Sequence, residues 1–174
     1  LAPHLSIRLE RIQTSGDKIL DVPLAKIGGK ALFVKEIEEA LLREDIDLAV
    51  HSMKDVPSVL PEGLVIHCVP QREDSRDALL SRDGLLFRDL PVLAKVGTSS
   101  LRRQAQFLAK RPDFTIKMLR GNLDTRVRRL REGQFDAIVL AASGLKRLGW
   151  INQISECLSV EISLPAVGQG ALGI

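Results

Sequence analysis

The chain has 174 residues, a net charge of +3, 45% hydrophobic and 27% charged side chains, an ordinary balance for a globular protein. No apolar run approaches the ~18 residues of a membrane helix, and no basic-then-apolar leader opens it, so neither a membrane partner nor an exported chain is expected. Two distant cysteines, Cys68 and Cys157, and three histidines without ligand spacing leave no disulfide scaffold and no metal centre.

Residues 5–9 alternate apolar and polar as a half-buried strand does. Thr14-Ser15-Gly16-Asp17 reads as a turn. After Gly28-Gly29, residues 30–43 predict a helix, with Phe33, Ile37, Ala40 and Leu41 on one face. Residues 47–50 read as a buried strand and 64–69 as another strand. The polar run 72–77 reads as a hinge between two series of elements. Residues 101–110 predict a helix with Thr98, Ser99 and Ser100 as cap hydroxyls. A strand over 115–119, a helix over 124–131 after Gly121-Asn122, a buried strand over 135–141 and a helix over 143–148 follow. Alternating strands and helices imply an α/β fold with mainly parallel sheets. The apolar neighbours of both cysteines predict packed, inert thiols.

Charge is unevenly placed. Residues 1–94 carry 12 basic and 16 acidic side chains, and residues 95–150 carry 13 and 4. That second segment is built to meet an anion. Aromatic content of 3% with no Tyr offers few stacking platforms, and no nucleic-acid motif is present, so small carboxylates or phosphates fit better.

Three runs sharpen this. His51-Ser52-Met53-Lys54-Asp55-Val56-Pro57 sets a lysine and a carboxylate directly after an expected strand, where α/β sheets bind ligands. Gly97-Thr98-Ser99-Ser100-Leu101-Arg102-Arg103 opens a helix with small residues and two arginines. Cations disfavour a helix N-terminus, so a ligand anion is expected to compensate them. Leu119-Arg120-Gly121-Asn122-Leu123-Asp124-Thr125-Arg126 repeats the arrangement, and arginine forks suit carboxylates. Ala25-Lys26-Ile27-Gly28-Gly29-Lys30 is a weaker anion loop. The GxGxxG-like run at 168–173 reads as close backbone packing at a crossover, because no βαβ unit follows it.

In order and spacing these runs, with 141–149 and 164–173, resemble the porphobilinogen deaminase (hydroxymethylbilane synthase) family across nearly the whole chain. The resemblance implies two periplasmic-binding-protein-like lobes with a cleft between them. Residues 1–70 plus 165–174 would form the first lobe and 76–164 the second. It implies a fragment lacking the family's N-terminal strand and helix and its third domain, since neither cysteine lies in a Gly-Gly-Cys attachment motif. It implies a transferase of porphyrin and heme biosynthesis that joins four porphobilinogen molecules, with loss of ammonia, into the tetrapyrrole hydroxymethylbilane on a dipyrromethane cofactor. Asp55 matches the catalytic carboxylate. Lys54, Ser100, Arg102, Arg103, Arg120 and Arg126 match residues holding the cofactor's acetates and propionates. Arg147, Lys26 and Lys30 match substrate-side cations. A cytoplasmic monomer acting on porphobilinogen and its linear oligomers is expected, with no nucleic-acid partner. The alternative is a non-catalytic two-lobed module for a small anion.

Overall fold

Apolar pentads build the centre of the molecule. The computed structural model describes residues 4–18 and 33–174, and Lys26 and Lys30 lie outside them. The helices are α1 (Ser15–Lys18), α2 (Lys35–Leu42), α3 (Leu101–Lys110), α4 (Leu123–Arg131) and α5 (Ala142–Arg147). The strands are β1 (His51–Ser52), β2 (Asp77–Ser81), β3 (Lys95–Gly97), β4 (Thr115–Lys117), β5 (Ala137–Ala141), β6 (Glu156–Cys157) and β7 (Leu172–Gly173). Five strands form one sheet in the order β4-β3-β5-β2-β6, and β1 pairs with β7 in a two-stranded sheet.

Successive strand residues face opposite sides, so each pentad feeds two cores. Ala78, Leu80, Ile138 and Leu140 pack with Val127 and Leu130 of α4 and Leu145 of α5. Leu79, Ala137 and Val139 pack with Phe107 of α3, Phe87 and Phe114. The rings of Phe87 and Phe114 meet edge-on with centroids 5.4 Å apart, a favoured aromatic geometry.

The large sheet is mixed rather than mainly parallel. β3 runs parallel to β4 and β5, whereas β2 runs antiparallel to β5 and β6. Helices α3 and α4 supply the crossovers that parallel neighbours need. The link from β2 to β3 contains only the 3-10 turn Phe87–Asp89, too short a device to return the chain parallel.

Other expectations fail locally. Residues 5–9 form no strand, and Leu5, Ile7 and Leu9 are exposed. Alternation alone does not make a strand, and among the described residues no strand pairs with this run. Residues 47–50 are irregular with Leu48 and Val50 exposed, and the strand begins only at His51. Residues 64–69 are extended without being a strand: the N–H groups of His67 and Cys68 donate to the Ile174 carbonyl. Cys68 is exposed and Cys157 half-buried, so only Cys157 approaches the packed thiol expected of both. The polar run 72–77 ends inside the core, because Asp77 opens β2 and is fully buried.

Among the described residues no helix is long and apolar enough to cross a membrane.

Candidate functional site: a cationic cluster with two carboxylates

β3, β4 and β5 are parallel, so their carboxyl ends share one edge of the sheet. The loops leaving β3 and β4 there open α3 and α4. β2 runs the other way, and its register pairs Asp77 with Ala141, which brings the first residue of β2 to that same edge.

Each helix start is capped from within. The Ser100 hydroxyl accepts from the Arg103 N–H at 3.4 Å, and the Ser99 hydroxyl donates to the Leu119 carbonyl at 2.7 Å. The Asn122 side chain accepts from the Thr125 N–H at 2.9 Å. Ser100 is therefore the N-cap of α3, a role that fixes its hydroxyl at the start of the helix.

The arginines divide into two groups. Arg103 is buried, donates through Nη1 to the Val139 carbonyl at 2.9 Å, and meets Asp77 through Nη2 at 2.7 Å. Arg102 meets both Asp77 oxygens through Nη2, at 2.9 and 3.2 Å, and also contacts the Leu164 carbonyl. The anion that compensates cations at the start of α3 is thus internal, where the sequence reading expected a ligand. The second group leans on backbone carbonyls. Arg126 Nε donates to Gly121 O at 2.7 Å, and the buried Arg120 donates to Gly16 O at 3.3 Å.

Lys54 and Asp55 arrive on the 3-10 turn Met53–Asp55, whose first N–H donates to the Ala171 carbonyl at 3.1 Å. The 168–173 run packs tightly behind that turn, as expected of a crossover. Gly168 has φ +72°, and a Cβ on it would stand 3.1 Å from the Met53 carbonyl carbon and 3.2 Å from the Lys54 nitrogen.

Charge coupling ties these elements together. Burial lowers the Lys54 pKa, Arg103 and Arg126 lower it further, and Asp55 and Asp77 oppose them. Lys54 and Asp55 nevertheless keep open surface, so Lys54 is crowded by charge yet reachable from solvent. Burial, then the charges of Arg103 and Arg120, push Arg126 down to about 10, with Asp55 opposing. A cation held below its ordinary pKa gains from an added anion, which restores the favourable environment of its charged form. Lys54, Asp55, Arg103, Arg120 and Arg126 are thus brought together, with Arg102 joined to them through Asp77.

Arg147 sits apart from this pairing scheme. It is exposed and donates to the Gly170 carbonyl at 2.7 Å, while its neighbour Lys146 binds Glu73 and Asp74 at 3.2 and 3.1 Å. Asp77, Ser163 and Gln169 were not singled out from sequence. Ser163 donates to Asp77 at 2.7 Å and the buried Gln169 at 2.9 Å. An acidic residue opening an apolar run was the available signal. An apolar cavity of about 420 Å³, lined by residues such as Leu41, Leu48 and Val65, includes none of the charged cluster. Among the described residues no group of His, Cys, Asp and Glu could hold a metal ion.

Fold and site together define an α/β protein with a cluster of cations around two carboxylates. Residues 1–174 match the family described as "Porphobilinogen deaminase, dipyromethane cofactor binding domain". The porphobilinogen deaminase of Syntrophotalea carbinolica is 64% identical over 174 residues, covering 100% of this chain and 55% of that protein. Those of Geobacter metallireducens and Bacillus pumilus are each 61% identical, covering 99% and 100% of this chain and 54% and 56% of theirs. The chain belongs to the porphobilinogen deaminase family, and it spans about half the length of the curated relatives it matches.

Proposed function

We propose that the whole protein is a transferase of tetrapyrrole biosynthesis that deaminates porphobilinogen and joins four molecules of it into hydroxymethylbilane. The observation that carries this reading is a solvent-accessible carboxylate, Asp55, set among cations whose charged forms are disfavoured without a ligand anion. An anion-binding module has no use for Asp55, because that carboxylate repels an anionic ligand. A reaction that generates a cation beside bound carboxylates uses both kinds of charge.

The donor set fits a dipyrromethane cofactor, whose acetate and propionate groups match Lys54, Arg120 and Arg126, with Arg102, Arg103 and Ser100 setting the recess wall. When bound, the cofactor supplies the pyrrole carbon to which the first substrate is joined. This chain's own residues do the rest. The arginines orient the carboxylated pyrroles, fixing the distance between reacting carbons. Loss of ammonia from porphobilinogen leaves a cationic carbon, which the Asp55 carboxylate stabilises electrostatically while accepting pyrrole N–H bonds. Arg147 and the lysines 26 and 30 complete the substrate side in this reading.

We further propose the lobe arrangement that this chemistry needs. Residues 1–70 with 165–174 form one lobe and 76–164 the other, in the manner of periplasmic binding proteins, with the recess between them. The pairing of β1 with β7 and the confinement of the five-stranded sheet to residues 77–157 support that division. The protein acts as a cytoplasmic monomer. Small carboxylates rather than nucleic acid are its partners, because a chain with 3% aromatic residues and no Tyr offers few stacking platforms.

Full-length protein carrying its cofactor, supplied with porphobilinogen, should release one ammonia per molecule consumed and yield hydroxymethylbilane. Tight binding of porphobilinogen with no ammonia released would replace the enzyme with the anion-binding module.

A further inference from the structure

Asp77 is fully buried and yet meets four charged or polar side chains. Its Oδ1 receives Arg103 Nη2, Gln169 Nε2 and one contact from Arg102, and its Oδ2 receives Arg102 Nη2 and the Ser163 hydroxyl. Two of these donors lie on the first turn of α3 and two on the return segment, 163–169. Gln169 also donates to the Ser75 carbonyl at 2.7 Å, and its own carbonyl accepts from Arg72 at 2.9 Å. One carboxylate therefore joins the outgoing chain, the returning chain and the paired arginines.

A ligand carboxylate cannot take the place of Asp77. Displacing it would strand a fully buried charge without partners, which is among the most unfavourable changes a protein interior can suffer. The arginines must meet a ligand with the N–H groups that Asp77 leaves over. On Arg103, Nη1 is bound to Val139 and Nη2 to Asp77, while Nε is buried and without a hydrogen-bond partner. A buried N–H left unpaired by the chain calls for a partner from outside it, an ordered water or a ligand atom.

We propose that Asp77 is a positioning residue of the carboxylate site: by fixing Arg102 and Arg103 from behind, it sets which guanidinium edge and how much positive charge the recess presents to an incoming carboxylate. Asp77 touches no substrate. It acts through Arg103 and Arg102, and through them on the field felt by Lys54 and Arg126. This rests on the reading of the cluster as a carboxylate site.

The test uses the full-length holoprotein and compares wild type, Asp77→Asn and Asp77→Glu at a temperature where each is folded by circular dichroism. Two readings are taken. The first is the KM and kcat for porphobilinogen. The second is the 15N–1H resonance of Arg103 Nε, assigned by its loss in Arg103→Lys. In wild type that proton should exchange slowly and shift on adding porphobilinogen. In Asp77→Asn the amide sets an N–H2 against the guanidinium groups, so the resonance should broaden or move and lose its response. Misplacing a substrate-orienting group by up to an ångström predicts a KM raised roughly ten- to a hundredfold, with kcat changed less. If Asp77→Asn does not fold, Asp77→Glu decides. It keeps the charge but pushes the arginines outward by one methylene, so KM should still rise while a purely structural role would restore both readings. A folded variant with an unchanged Arg103 signal and KM within about twofold of wild type overturns the proposal. A wild-type protein that does not turn over porphobilinogen would instead fail the functional reading, and the Arg103 signal would still report on Asp77.

Discussion

Gly168→Ala tests how the backbone behind the recess positions Lys54 and Asp55. Gly168 holds φ +72°, a left-handed conformation that disfavours any side chain by about 1 kcal/mol. The added methyl would also press on the Met53 carbonyl carbon and Cβ at 3.1 Å and on the Lys54 nitrogen at 3.2 Å. Overpacking of this kind costs about 1–3 kcal/mol, because backbone rather than a flexible side-chain tip must move. The sum is about 2–4 kcal/mol. With a urea slope of about 2 kcal/mol/M, the midpoint should fall by roughly 1–2 M. Gly84→Ala is the control. Its φ is +71° but no atom lies within 4 Å of the added Cβ, so only the conformational part, about 1 kcal/mol, should appear. A displacement of a few tenths of an ångström at the Met53–Asp55 turn should also lower kcat/KM for porphobilinogen several-fold in Gly168→Ala and not in Gly84→Ala. Equal urea midpoints for the two variants, with equal turnover, would refute the claim that the 168–173 run sets the position of Asp55.

Two predictions concern pH. Arg126 titrates at about 10 in the free protein and the Lys54 pKa is lowered from 10.5, so both are charged at neutral pH and lose charge as pH rises. Affinity for a pyrrole dicarboxylate without the aminomethyl group should be flat from about pH 7 to 9 and fall as pH passes about 10, measured by calorimetry. Arg126→Met should weaken binding across the range and flatten that fall. At the acid end, burial alone would raise the Asp77 pKa, but hydrogen bonds from Arg103, Gln169 and Ser163 and the Arg103 charge outweigh it and hold the carboxyl below its ordinary 3.8. A lowered pKa contributes stability that is complete above the unfolded value and lost as pH falls through the folded one. Urea stability should therefore hold down to about pH 5 and decline below about 4, and Asp77→Asn should lack the share of that decline due to Asp77, with Asp74 and Asp113, also held low, supplying more.

The sequence made one half of this account readable. The helix over 101–110 coincides with its expected range because a hydroxyl cap precedes a clean amphipathic turn pattern. The strand at 137–141 was visible as an apolar run bounded by polar residues. The clustered cations at 54, 120 and 126 were visible because each follows a strand end or opens a helix. β2 was not visible, since Asp77 made its first residue look like the end of a hinge. For the same reason the arginines at 102 and 103 were read as waiting for a ligand. Their partner lies 25 and 26 residues earlier in the chain and reaches them only because β2 runs antiparallel to β5. Alternation misled at residues 5–9, where the pattern of a strand is present without a described partner strand.

The central claim is that Asp55 stabilises positive charge formed during the reaction. Asp55→Asn keeps the shape and part of the hydrogen bonding of that side chain and removes its charge. Losing one such electrostatic contact costs about 3–4 kcal/mol, or roughly 100- to 1,000-fold in rate. An exposed ion pair with Lys54 would instead be worth less than about 1 kcal/mol of stability and would leave the kinetics alone. The decisive measurement is porphobilinogen turnover by full-length wild-type and Asp55→Asn proteins at equal cofactor occupancy. A fall of two to three orders of magnitude with an unchanged unfolding transition is the expected result, and near-normal turnover by Asp55→Asn would contradict the account.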